Sequence, residues 1–211
     1  MSTNLSFALL CLTSFFTLVN PLSVMPLFMT MTKDFDLVYR RKTALKATIV
    51  SFFTMISFAF TGQLLFRFFG ISVDSLRIVG GVIFFIMGQD MLQARIGNTK
   101  ITPAEMERHV TDISITPLAI PMICGPGAIT NAIVLMQDAV DMQMKVILIC
   151  SILIICLITY LVLFSASPIM KVIGETGNKI MLRLMGLIMM VIAVEFFFAG
   201  LKPFVAAMIK Q

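Results

Sequence analysis

The 211-residue chain is predicted to be an all-α polytopic membrane protein. Its six transmembrane helices are expected to form two inverted three-helix repeats, with helices 1 and 4 broken. Three observations carry this reading. First, 59% of the residues are hydrophobic and only 13% charged, against roughly 45–50% and 25% in a soluble domain. A soluble chain this short buries too small a share of its surface to hide so much apolar area, and disordered chains are poor in apolar residues. Second, uncharged runs long enough to cross a bilayer recur along the chain. Third, two proline-containing breaks fall at matching depth in two of those runs.

The spans follow in order. Phe7–Thr30 lies within 32 residues that carry no charged side chain. Ala47–Phe66 follows the basic loop Arg40-Arg41-Lys42, and Arg77–Leu92 lies between Asp74 and Arg95. Ile113–Gln137 and Val146–Ala166 are the fourth and fifth runs, and Leu184–Leu201 is the sixth, interrupted by Glu195. The whole chain reads as one membrane domain, with repeat A at 7–95, repeat B at 113–202 and a connecting cytoplasmic loop at 96–112. In that loop Thr102-Pro103-Ala104-Glu105 is a capping box with proline at the first helical position, which predicts a short solvated helix. Met1-Ser2-Thr3-Asn4 lacks a positive leader region, so the first span is expected to be retained.

Basic residues set the orientation. With the amino terminus outside, 11 Lys and Arg fall on the inner side and 5 on the outer side. This bias places both termini outside, in the periplasm where there are two membranes. The 16 basic residues form no dense tract with interleaved aromatics, so no nucleic-acid partner is expected. The four cysteines sit in apolar runs without metal-ligand spacing, and His109 is the single histidine, so no metal centre is expected. Gly80-Gly81, Gly88 and Gly186 read as close helix contacts.

The internal similarity is spaced consistently. Asn20-Pro21 recurs as Gly125-Pro126, 105 positions later, and Arg77-Ile78-Val79-Gly80 as Arg183-Leu184-Met185-Gly186, 106 positions later. Three helices per half force the halves into opposite orientations, as in many secondary transporters. Proline removes a backbone donor and clashes with the preceding turn. Asn20 is a good N-cap for a half-helix starting at Pro21, and Gly125-Pro126-Gly127 can do the same in the fourth span. Breaks of this kind survive in lipid only where protein encloses them. The two half-helices would aim their positive N-terminal ends at one central space, which suits an anionic group.

Thr13, Thr17, Asn20 and Ser23 share one helical face near the first break, and Thr130 and Asn131 follow the second. As a set they predict a polar pocket for a small solute; taken singly, each Ser or Thr hydroxyl is expected to bond back to its own helix. Glu195, and more weakly Asp90, are intramembrane carboxylates that serve either ion coupling or structure. No nucleophile–base pair, paired carboxylates or histidine cluster lies within the spans, so no enzyme is expected, and no nucleotide-binding loop is present.

The segments NPLSVMPLF at Asn20–Phe28 and GPGAIT at Gly125–Thr130 resemble the two signature segments of the MarC family of bacterial inner-membrane proteins, grouped with the lysine-exporter superfamily. Length, six spans and outside termini agree over essentially the whole chain. The family's first segment often has glycine where this chain has Ser23. The resemblance implies a bacterial inner-membrane transporter of small neutral amino acids or related metabolites. Its substrate would meet Asn20, Pro21, Ser23, Gly125, Pro126, Gly127, Thr130 and Asn131. No cofactor is expected beyond a coupling H⁺ or Na⁺. Expected partners are membrane lipids and a small-molecule substrate, with homo-oligomerisation left open. A membrane protein of structural or assembly role without transport is the alternative; its sign would be tight packing with no cavity at Asn20 and Gly125.

Overall fold

The computed structural model describes residues 3–32, 35–93 and 106–209, and all regular structure among them is helical. In chain order the elements are α1 (Thr3–Val19), α2 (Pro21–Met31), α3 (Leu37–Phe69), α4 (Val73–Leu92) and α5 (Met106–Ile113). There follow a π-type segment (Ser114–Ile123), α6 (Pro126–Asp138), α7 (Met142–Phe164) and α8 (Ala166–Ile209). Within α8, Gly174 (φ 72°, ψ 176°) divides the helix, so 166–173 and 175–209 are separate rods. The capping box at 102–105 lies outside the described residues; the helix expected beside it is present as α5.

Five helical stretches are long and apolar enough to cross a bilayer, and the bent pair Val110–Ile123 and Pro126–Asp138 makes a sixth. The expected spans are therefore present, but their ends extend further. Arg40, Arg41 and Lys42 belong to the first turns of α3 rather than to a loop. The reason is local. The Asp36 side chain accepts a hydrogen bond from Tyr39 N at 2.8 Å and starts the helix early. At 33 residues α3 is about 50 Å long, more than the ~30 Å hydrocarbon layer, so its charged ends lie beyond the apolar core. Ser72 and Asp141 cap α4 and α7 in the same way, accepting from Ser75 N at 3.0 Å and Met144 N at 2.7 Å. Gly70 (φ 65°) closes α3 in the left-handed conformation that glycine adopts without steric cost, leaving a short turn into α4. Where α3 begins, the Arg41 guanidinium lies 4.5 Å from the Phe164 ring centroid at the end of α7.

Helix packing follows one scheme. α1 packs on α7, and the π-type segment packs on α3; α2 packs on α8, and α6 on α4. α2 also meets α7 while α6 meets α3, and α3–α7 and α4–α8 pack directly. Exchanging the first four elements for the π-type segment, α6, α7 and α8 interchanges the first six of these pairs and maps α3–α7 and α4–α8 onto themselves.

The most extensive contact is α4 against α8, and glycine makes it close. A Cβ on Gly81 would stand 2.7 Å from Ala193 O, one on Gly88 2.8 Å from Gly186 O, and one on Gly200 2.6 Å from Asp74 O. These pairs define an antiparallel register held over the whole length of α4. In lipid, where apolar surface gains little by leaving the solvent, such close backbone approach supplies the association through dispersion. The outward faces carry large exposed apolar side chains, among them Phe85, Ile86, Leu187 and Val191. Cys11, Cys124 and Cys156 are buried and Cys150 is exposed. No group of metal-ligating side chains occurs among the described residues.

Gly88→Ala is expected to force α4 from α8 and cost about 1–3 kcal/mol. Leu187→Ala, on the exposed face of α8, should cost less than about 0.5 kcal/mol. Thermal unfolding in detergent checks the pair; equal melting temperatures would contradict glycine-set packing.

Candidate functional site

The first break is at Asn20. Pro21 cannot donate a backbone hydrogen bond, so α1 must end before it. Asn20 N still donates to Phe16 O at 3.0 Å and closes α1, while Asn20 O accepts from Ser23 N at 3.0 Å and opens α2. One residue serves both helices because its backbone is left-handed (φ 42°, ψ 70°), a region Asn tolerates better than other non-glycine residues. Its side chain makes no capping bond. The expected side-chain N-cap is therefore corrected: backbone conformation makes the break, and the Asn20 carboxamide is left free to face a cavity.

The second break is longer than the single interruption expected at Gly125. Thr116 (φ −129°, ψ 121°) and Ile120 (φ −126°, ψ 119°) are extended inside Ser114–Ile123. Each precedes a proline, Pro117 and Pro121, whose ring pushes the residue before it out of the helical region. The turns between them are wide, and Cys124 N donates to Ala119 O at 2.8 Å. Gly125 (φ −77°, ψ 171°) then starts α6 after a 60° bend. The Pro117–Pro121 spacing was the sequence signal for this opening.

A cavity of about 130 Å³ lies at the first break. Thr17, Leu18, Val19, Asn20, Ser23 and Val24 come from α1–α2, Phe84 from α4 and Met122 from the π-type segment. Met189, Ile192 and Phe196 of α8 complete the lining. Eight of these eleven residues are apolar, so the polar pocket expected from the sequence is corrected to an apolar cavity with a polar edge.

The polar groups are largely spent elsewhere. Thr13 and Thr17 donate to Leu9 O at 2.7 Å and Thr13 O at 2.8 Å, as membrane threonines commonly do. Ser23 Oγ donates to Met185 Sδ at 3.3 Å, tying α2 to α8. Asn131 Nδ2 donates to Ser14 Oγ at 2.9 Å, tying α6 to α1.

Gly125, Pro126 and Gly127 are buried but do not line the cavity. Pro126 packs where α4 offers no side chain: a Cβ on Gly80 would stand 2.4 Å from Pro126 Cβ. A Cβ on Gly125 would meet Phe84 Cζ at 2.5 Å, and one on Gly127 would meet Phe196 Cζ at 2.4 Å. The two rings pack edge to face, with centroids 6.1 Å apart. They thus cover the second break and wall the cavity at the first. Thr130 is buried, and its hydroxyl has no hydrogen-bond partner. Phe84, Met122, Met189 and Phe196 were not singled out by the sequence, where aromatic and methionine side chains on apolar helices look alike.

Glu195 is exposed on the outer face of α8, away from the cavity, and Asp90 is half-buried near the end of α4. Neither joins the residues of the breaks. Arg77 pairs with Asp74 at 3.1 Å at the start of α4.

The chain matches the MarC family integral membrane protein description over residues 5–205. It is 35% identical to a UPF0056 membrane protein of Methanocaldococcus jannaschii, over 94% of this chain and 98% of the relative. It is likewise 35% identical to one of Pyrococcus horikoshii, over 90% and 92% of the two chains. The UPF0056 membrane protein YvbG of Bacillus subtilis is 32% identical, over 90% and 91%. No solved structure matches the chain. Agreement over nearly the full length, through both breaks and all the apolar spans, makes this chain a member of the MarC family of integral membrane proteins.

Proposed function

We propose that this membrane protein is a secondary transporter of small neutral amino acids or related small polar metabolites, working in the bacterial inner membrane with both termini periplasmic. The observation that carries the reading is the cavity of about 130 Å³ at the Asn20 break, inside the helix bundle. It places an unpaired carboxamide against an apolar wall, as a solute with a polar head and a short side chain requires. A void of about 150 Å³ holds a benzene-sized molecule, so the space suits a small metabolite and not a bulky drug. Non-helical backbone inside an apolar bundle is tolerated where it lines such a space. The exchange of helix pairs between the two halves supports an inverted repeat, whose rocking would open the site alternately to either side.

The second reading, a structural or assembly protein, is favoured by the close packing at Gly125 and Gly127. The cavity at Asn20 is what it does not account for.

Asn20→Ala is expected to reduce flux of radiolabelled small amino acids in liposomes about tenfold, the equivalent of about 1.4 kcal/mol, with membrane insertion intact. Gly125→Leu should abolish flux, because its side chain would occupy the place of the Phe84 ring. Normal flux in both variants would refute a site at the breaks. Coupling is read with imposed H⁺ or Na⁺ gradients. With Glu195 outside the cavity, Glu195→Gln should leave the pH dependence of flux unchanged; its loss would assign the coupling proton to the outer face of α8.

A further inference from the structure

We propose that the crevice between α3 and α7 holds one anionic phospholipid, with its phosphate at Arg40 and Arg41 and one acyl chain in the apolar slot below them. The site lies on the outer surface of the bundle and stands apart from the transport reading.

The crevice has two parts. The upper part, about 260 Å³, lies where α3 begins and α7 ends; Arg40, Arg41, Phe164 and Ser165 line it, with no Asp or Glu. The lower part, about 270 Å³, lies between Leu45, Ile49 and Phe53 of α3 and Leu153, Leu157 and Tyr160 of α7. Residues three and four apart share a helix face. Arg41, Leu45, Ile49 and Phe53 therefore form one stripe on α3, and Phe164, Tyr160, Leu157 and Leu153 form one on α7. The Phe164 and Tyr160 rings, one from each part, lie with centroids 5.9 Å apart and join the two. Short buried side chains, Thr48 and Cys156, make the floor of the slot. The Thr48 hydroxyl donates to Ala44 O at 2.9 Å, so its proton is spent on its own helix.

At the mouth, Arg40 Nε donates to Thr32 O at 2.8 Å, which holds that side chain in place. The Arg41 guanidinium lies 4.5 Å from the Phe164 ring centroid. That contact positions the guanidinium, whose planar N–H fork matches a phosphate. Asp36, one turn earlier, accepts from Tyr39 N at the start of α3.

Charge and length identify the occupant. From Arg41 to Phe53 the stripe runs for about 18 Å of helix, and one leaflet of the hydrocarbon layer is about 15 Å deep. A soluble anion would fill only the mouth, and an apolar peptide would offer the arginines no negative charge. A second copy rotated about the bilayer normal would bring its own Arg41 to the same depth, where like charges repel. A lipid satisfies both parts. In the orientation proposed above, the mouth lies in the cytoplasmic leaflet, whose surface is negative. The α4–α8 groove, about 200 Å³ beside Phe85 and Phe198, has no basic residue in its lining and takes hydrocarbon without regard to headgroup.

The chain contains no tryptophan, so an introduced one reports only its own surroundings. Phe53→Trp puts the indole in the slot, and Phe85→Trp puts it in the α4–α8 groove. In phosphatidylcholine liposomes, phosphatidylglycerol with brominated acyl chains should quench Phe53→Trp at mole fractions at least fivefold lower than brominated phosphatidylcholine. The two lipids should quench Phe85→Trp equally. Combining Arg41→Ala with Phe53→Trp should bring the preference below twofold, and Arg41→Lys, which keeps the charge, should leave it between the two. Excess inorganic phosphate should leave the preference unchanged. Equal quenching of Phe53→Trp by both lipids, or a preference untouched by Arg41→Ala, overturns the site. So does an indole at 53 that neither lipid quenches, the result expected where a second copy covers the slot. Loss of the preference in phosphate would assign the arginines to a soluble anion and overturn the lipid.

Discussion

The structure depends on one constraint: a peptide group inside hydrocarbon must be paired or enclosed. Six apolar spans satisfy it mostly by helix formation, but Asn20-Pro21 and Ser114–Gly125 cannot do so along their whole length. Their unpaired groups must face protein, which fixes which way the two broken spans turn. α4 and α8 supply that protein. Their glycine-lined contact brings Phe84 and Phe196 together over the breaks.

The two breaks solve the same problem differently. At Asn20 one left-handed residue closes one helix and opens the next, and Asn4–Met31 still runs as one span. At the second break two prolines each extend the residue before them, and ten residues are wound in wide turns before α6 begins. The first arrangement leaves a cavity and a free carboxamide. The second is covered by the Phe84 and Phe196 rings.

Most Ser and Thr hydroxyls within the bundle bond back to their own helix, and a few polar side chains connect helices. Ser23 reaches Met185, Asn131 reaches Ser14 and Ser51 Oγ approaches Ala119 O at 3.4 Å, each from a different pair of elements. Hydrogen bonds across membrane helices are worth only about 0.6 kcal/mol on average, so their contribution is register more than strength. Glu195 has no such connecting role: its carboxylate lies on the outer surface of α8 with no hydrogen bond or ion pair among the described residues.

Class, span number and the places of the breaks were legible in the amino-acid order because each follows from local chemistry: hydropathy over about twenty residues, and a proline's missing donor. The close contacts at Gly81, Gly88 and Gly186 were legible for a similar reason, since a residue without a side chain marks where backbones can meet. The polar pocket was misread, and the cause is rotational. Helices that are apolar on every side present no amphipathic stripe, so nothing local tells which way Thr17, Asn131 or Glu195 points. Packing decided that Asn131 would be spent on Ser14, that Glu195 would face outward, and that two phenylalanines 112 positions apart would meet over Gly125 and Gly127. Those outcomes belong to tertiary structure, because the rotation of each helix about its axis is set only by the neighbours it packs against.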